Sequence, residues 1–292
     1  MKHVGNSVTP FLFHHPNFIF RNSENPILSF QDGSTLIHFS RIGASLISMD
    51  RAPFGSFVIG QGATENSLLT VVDKVVAWSK SNGVNNLLIK SFPEAYNPEQ
   101  HALIKGALLK SGFVIQFTDV AQIVPVTDDA MKLNTHKKRR VRKAGELAYT
   151  FSHLPISFLE ESYRLIVETR QNKGYPVTMS LNDLKTMFCE FPKAYMLFGA
   201  FDQKKLIAAA VCIEVNSQIL YCFYIGDSLS HRTYSPVTFL VQGIYEFCKS
   251  QGFKIIDLGL STDKGILNNG LYNFKKSFGS IDSVKLTFLK QL

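Results

Sequence analysis

One order of elements occurs twice in this chain, and that repeat constrains the fold more than any other feature. The segment VVDKVVAWSKSNGVNNLLIKSFP, from Val71, matches LVQGIYEFCKSQGFKIIDLGLST, from Leu240, when Gly83 is set on Gly252, an offset of 169 positions. Val72 then falls on Val241, Val75 on Ile244, Trp78 on Phe247 and Leu87 on Ile256. Each segment has apolar residues at helical spacing, a Gly where a helix ends, and a short β-branched run. A second match lies upstream. PILSFQDGSTLIHFSRI holds two alternating strands about Asp32, and AYMLFGAFDQKKLIAAAVCIEV repeats the layout about Asp202, an offset of 170. Two matches at nearly one offset predict a tandem duplication: hairpin, further strand or loop, helix, strand, in each half. Helices alternating with a mixed sheet place the chain in the α/β (α+β) class, as two similar lobes with a cleft between them. The best boundary is TDDAMKLNTHKKRRVRKAGELAYTF, giving expected domains 1–135 and 136–292.

Length and composition agree with two packed domains. The chain has 292 residues, 45% hydrophobic and 18% charged, enough apolar material for a core. Lys plus Arg is 31 against 23 for Asp plus Glu, a net charge of +8 that favours anionic partners. No run approaches a membrane-spanning helix. The N-terminus, broken by Pro10, His14, His15 and Pro16, is a poor signal peptide, so a cytoplasmic location is expected. Cys189, Cys212, Cys222 and Cys248 match no zinc or CxxC spacing and are expected as free thiols, buried except for a possible exposed Cys189.

Three segments carry candidate chemistry. Ile219 to Ile225 reads as a buried central strand ended by Gly226. After it come His231 and Arg232, then Ser235 at a helix N-cap and Pro236 at the first helical position. A strand, a loop and a helix N-terminus make an anion site, or simply a capped helix. The run HKKRRVRK, His136 to Lys143, is either a solvated face or a contact for an anionic substrate, RNA or membrane surface. In NNGLYNFKKSFGS, Phe274 and Phe278 are expected to share a buried helix face, with Lys275 and Lys276 at its rim. No phosphate loop, dinucleotide fingerprint, zincin or nucleophile-elbow motif is present, and no metal spacing occurs among the histidines.

In order, RAPFGSF, NLLIKSFPEAY, LLKSGFVIQFTDV, HKKRRVRKAGE, GFKIIDLGLSTDKG and GLYNFKKSFGS follow the pattern of FemAB-like proteins. The chain therefore resembles the FemAB-like branch of the GNAT superfamily, tandem GNAT folds, from about Pro26 to Phe288. The resemblance implies transfer of an acyl or aminoacyl group, from acyl-CoA or aminoacyl-tRNA, to an amine. The expected acceptor is a small molecule or glycan precursor of the cell envelope or of polysaccharide synthesis, with tRNA a possible partner and no metal. It maps catalysis to Lys275, Tyr224 and Asp227 and substrate binding to Lys138, Arg139 and Arg142, and cofactor binding is expected at Gly226 and, from the anion site after the strand, at Arg232 and Ser235.

One departure matters. Acetyl-CoA-using GNAT enzymes carry Arg/Gln-x-x-Gly-x-Gly/Ala after the central strand. Here the loop runs from Arg232 through Ser235 to Val237 without either glycine, which obstructs close approach of a pyrophosphate. The FemAB-like branch also lacks those glycines. Two readings follow: an acyltransferase, or a catalytically silent double-GNAT protein that binds an anionic glycan, nucleotide or RNA.

Overall fold

The computed structural model describes residues 11–22 and 24–292. The part of the signal-peptide reading that rests on Pro10 lies outside them. The chain forms two compact units. The first holds Met1–Ala121, Thr262–Asn268 and Asp282–Leu292; the second holds Gln122–Ser261 and Asn269–Ile281.

The first unit runs through α1 (Pro16–Asn22), β1 (Ile27–Asp32), β2 (Thr35–Ile42), β3 (Ser45–Ile47), β4 (Val58–Ile59), α2 (Glu65–Ser81), β5 (Asn86–Lys90) and α3 (Pro98–Lys110). Strand β6 (Val114–Pro125) carries the chain into the second unit. There follow α4 (Thr135–Glu146), β7 (Thr150–Leu154), α5 (Leu159–Asn172), α6 (Leu181–Glu190), β8 (Tyr195–Asp202), β9 (Lys205–Asn216), β10 (Ile219–Asp227), α7 (Pro236–Gln251) and β11 (Ile255–Leu260). A small hairpin, β12 (Thr262–Asp263) and β13 (Ile266–Leu267), belongs to the first unit. Helix α8 (Asn269–Lys276) belongs to the second, and β14 (Ile281–Gln291) ends the chain in the first.

The repeat is present in both units. In the first, β1 pairs antiparallel with β2, closing at Asp32↔Thr35, and β3 runs parallel to β5. In the second, β8 pairs antiparallel with β9, closing at Asp202↔Lys205, and β10 runs parallel to β11. The connecting helices form for the same reasons. Helix α2 buries Leu68, Val71, Val72 and Val75, and α7 buries Leu240, Val241, Ile244 and Cys248, the stripe that faces a sheet. Each buried aliphatic side chain contributes about 1.5–3 kcal/mol. Gly83, at φ +67°, and Gly252, at φ +82°, take the left-handed turn that ends each helix and aims the next strand back.

The division is not a single cut at 135/136. Val124 and Met131 pack in the core of the second unit with Phe198, Tyr245 and Phe278. Strand β14 lies in the first unit between β5 and β6, where Leu286 and Phe288 are buried. Strand β10 also runs past Gly226, because Gly226↔Ala209 and Asp227↔Ala208 keep the ladder with β9. The basic run is a helix of the second unit rather than a linker. Asn134 caps it by accepting from the Lys137 N–H at 2.9 Å, and Ala144 is buried beneath it.

Candidate functional site

Strands β10 and β11 stay paired for three residues only: Ile219↔Ile255, Leu220↔Ile256 and Tyr221↔Asp257. Past this point β10 bulges between Cys222 and Tyr224, and the two strands part. Polar groups converge where they separate. Asp257, in a buried strand, accepts from the Gly259 N–H at 2.6 Å. Gly259 has φ +79°, and a Cβ there would stand 3.8 Å from both the Tyr221 hydroxyl and Lys275 Nζ. Any larger residue would fill that point, so glycine keeps it open.

Lys275 is 7% exposed, and its Nζ donates to the Leu260 carbonyl at 2.6 Å. Burial pulls the ammonium down to about 8, against the attraction of Asp257 and Cys222. At neutral pH it remains mostly charged. Burial, then Asp257, pushes the Tyr221 phenol up, so Tyr221 stays a neutral hydrogen-bond donor. Lys276, one position on, is half-buried, with its ammonium 5.8 Å from the Tyr272 ring. Phe278 is fully buried, but the expected burial of Phe274 is corrected: it is 39% exposed. Its ring packs edge-on against Phe278 and also faces the Lys137 ammonium, which takes it out of the apolar core.

The remaining expected residues lie on β10 and in the loop that follows it. Tyr224 is buried, and its hydroxyl accepts from the Thr178 and Met179 N–H groups at 2.9 and 3.0 Å. The Arg170 guanidinium lies over its ring at 5.0 Å. Asp227 accepts from Arg232 at 3.2 Å, and its backbone exchanges hydrogen bonds with the Thr169 hydroxyl on α5. Arg232 is therefore spent on Asp227 rather than aimed outward. A Cβ on Gly226 would stand 2.6 Å from Ile166 Cα, so this glycine lets α5 lie directly on β10. Ser235 does precede α7, but the expected side-chain cap is corrected. The residue sits left-handed at φ 51° and makes no side-chain cap hydrogen bond. Pro236 and Thr238 in the first turn are buried, and the Thr238 hydroxyl accepts from Lys137 at 2.8 Å.

On α4, Lys138, Arg139 and Arg142 are exposed, with Arg142 3.6 Å from Glu146. Lys137 turns the other way and is 7% exposed. Cys189 is exposed; Cys212, Cys222 and Cys248 are buried, the first two with sulfurs 3.7 Å apart. Among the described residues, no group of three or more His, Cys, Asp or Glu is placed to hold a metal ion, and no helix is long and apolar enough to cross a membrane.

The first unit closes the equivalent place with protein. Past Ile47↔Leu88, the Ser48 N–H donates to the Leu88 carbonyl and the Ser48 hydroxyl accepts from the Lys90 N–H, both at 2.8 Å. The Gly55 N–H then donates to the Lys90 carbonyl at 3.2 Å. Phe11, Phe54, Phe92 and Tyr96 pack together beyond. The repeat thus keeps the separation of its parallel strands in the second unit and bridges it in the first.

Asp257, Gly259, Tyr221 and Lys137 were not singled out from the sequence. A charge and a glycine inside the apolar run of IIDLGL are the signal that points to the first two.

No family model matches the sequence, and no curated protein matches it. Among solved structures the chain is similar to FemX, with a TM-score of 0.69 at 14% identity over 91% of this chain and 88% of that one. It is similar to the C-terminal domain of a putative lysylphosphatidylglycerol synthetase from Agrobacterium fabrum, with a TM-score of 0.66 at 12% identity over 94% and 86%. L-PGS from Bacillus licheniformis gives 0.65 at 14% identity over 92% and 85%. The chain shares the fold of FemX and of these lysylphosphatidylglycerol synthetase domains.

Proposed function

We propose that this protein is an acyltransferase of acetyl- or aminoacyl-transfer type, working on an amine of a cell-envelope or polysaccharide-related acceptor. The observation that carries the reading is the convergence of Lys275, Tyr221 and Asp257 where β10 and β11 separate. The solved structures it resembles include FemX and lysylphosphatidylglycerol synthetase domains, which supports group transfer as the chemistry of the fold.

In this reading the acceptor nitrogen attacks the acyl carbonyl. A C–N bond forms, the ester or thioester bond breaks, and the leaving oxygen or sulfur takes the proton that the amine loses. Negative charge develops on the carbonyl oxygen, and the Lys275 ammonium is the donor placed to meet it. Asp257 keeps that ammonium charged, and Tyr221 offers a neutral O–H beside it. Tyr224, Asp227, Arg232 and Gly226 fix α5 and the loop before α7 against β10. Lys138, Arg139 and Arg142 present the charge that an anionic donor or acceptor meets. The donor, acyl-CoA or aminoacyl-tRNA, is the first quantity to measure.

The internal pairing of Asp227 with Arg232 favours a second reading, a silent double-GNAT protein that binds an anionic glycan, nucleotide or RNA. A thermal-shift screen with CoA thioesters, UDP-sugars and tRNA, followed by a transfer assay with the hits, separates the two. Under the enzyme reading, Lys275→Ala removes most transfer and Lys276→Ala little. Activity that needs the ammonium should also decline as pH rises through about 8. Equal small losses from both lysines, with tight ligand binding retained, would turn the assignment to the silent protein.

A further inference from the structure

We propose that Lys137 is the positioning residue of Lys275: its buried ammonium clamps α8 from the side, through the two phenylalanines that flank Lys275 in sequence. The inference rests on the reading of Lys275 as the working group of the second unit. Lys137 Nζ lies 4.2 Å from the centre of the Phe274 ring and 4.6 Å from that of Phe278. The two rings meet edge-on at 5.2 Å, so one ammonium faces both. The same ammonium donates to the Thr238 hydroxyl at 2.8 Å, in the first turn of α7. Its backbone end is set by the Asn134 cap, and the Asn134 N–H in turn donates to the Ser277 carbonyl just after α8, at 3.1 Å. Three elements are therefore fastened at one cation.

A leucine or methionine would suit a site 7% exposed better than an ammonium, unless the charge does something there. A cation against aromatic faces, unlike a methyl contact, fixes both distance and direction. Phe274, one before Lys275, lies on an eight-residue helix that has no long stripe to hold it otherwise, and Phe278, three after Lys275, lies just past the end of that helix. Holding those rings fixes the phase of α8, and the phase decides whether Lys275 or Lys276 faces Leu260. Burial, then Arg140, lowers the Lys137 ammonium to about 8. Arg140 itself is held by the Thr233 carbonyl at 2.6 Å, so it is not free to replace Lys137.

The test reads Lys275 itself. Its apparent pKa is measured by competitive acetic anhydride labelling of the whole chain against pH, with peptide mass spectrometry, and Lys276 serves as the internal reference. In Lys137→Met, which keeps length and apolar bulk, the Lys275 pKa is expected to rise by about one unit or more toward the ordinary lysine value as the amine loses its buried place. Lys137→Arg, which keeps a positive charge for the rings and the hydroxyl on a planar guanidinium, should restore most of the wild-type profile. Phe274→Leu is the second variant. It alters no charge and a part-exposed ring, so a shift of Lys275 in the same direction can only come through placement. An unchanged Lys275 profile in Phe274→Leu, or in a cooperatively folding Lys137→Met, overturns the proposal. If Lys275→Ala proves silent in every assay, the functional reading fails while the labelling result still decides the clamp.

Discussion

His14 is the least comfortable residue of the described chain. It is 3% exposed, its ring packs on Phe11 and Phe54, and neither ring nitrogen has a hydrogen-bond partner. Burial, then the neighbouring His38, pulls it down to about 3. The folded state thus keeps His14 neutral, while the unfolded chain takes up a proton below about pH 6.5. Stability that is full near pH 7 is lost as pH falls. In His14→Phe, the stability lost between pH 7 and pH 5 should be smaller by about 2 kcal/mol, read from urea unfolding at both values. An identical loss in wild type and variant would mean that His14 is not held neutral. The sequence placed His14 beside His15 and found no metal spacing, which says nothing about burial, because burial depends on Phe54, forty residues away. Lys275 and Lys276 show both sides of this limit. Their separation around the helix was legible from 100° per residue. The exposure of Phe274 was not, since its partner Lys137 lies far off in the chain.

At the scale of elements, local signals served best. Helix, left-handed glycine and strand were readable at both Gly83 and Gly252 because each signal lies within a few residues. Helix α6 was missed, although Ser180 and Asp183 form a capping box at its start. The loop before α7 was read as a cap because Ser-Pro carries that pattern, yet tertiary contacts around Arg232 and Pro236 turn Ser235 left-handed. That conformation costs a non-glycine residue of order 1–2 kcal/mol. Ser235→Gly should therefore raise stability by about 0.5 kcal/mol after the added freedom of the unfolded chain is subtracted. A working side-chain cap would instead lose a few tenths on the same change, so the sign of the shift in melting temperature decides. The parting of β10 and β11 was not legible from residue spacing, only implied by the family resemblance. It depends on how far a parallel ladder extends, and Tyr221↔Asp257 looks like any other pair in the sequence.

At the scale of the molecule, the duplication was legible and the exchange of segments between units was not, because strand neighbours far apart in sequence leave no local mark. The exposed cations of α4 belong to this scale too. Lys138, Arg139 and Arg142 stand on one fixed helix with few acidic neighbours, so they should meet a polyanion through its charge alone. With a fluorescein-labelled RNA hairpin as probe, the logarithm of affinity should fall steeply with the logarithm of salt concentration. Changing the three to Gln should flatten that slope by about 2–3. An unchanged slope would assign the face to solvent. The position of β14 has a consequence for how the protein comes into being. Strand β6 is finished at Pro125, but its neighbour in the first unit is β14, at the far end of the sequence. During synthesis at about 5–20 residues per second, the first half waits roughly 10–30 s for that neighbour, with the facing edges of β5 and β6 unmatched. The half that begins later has every residue it needs once Ile281 is made. Of the two units, the one begun first is thus the one completed last.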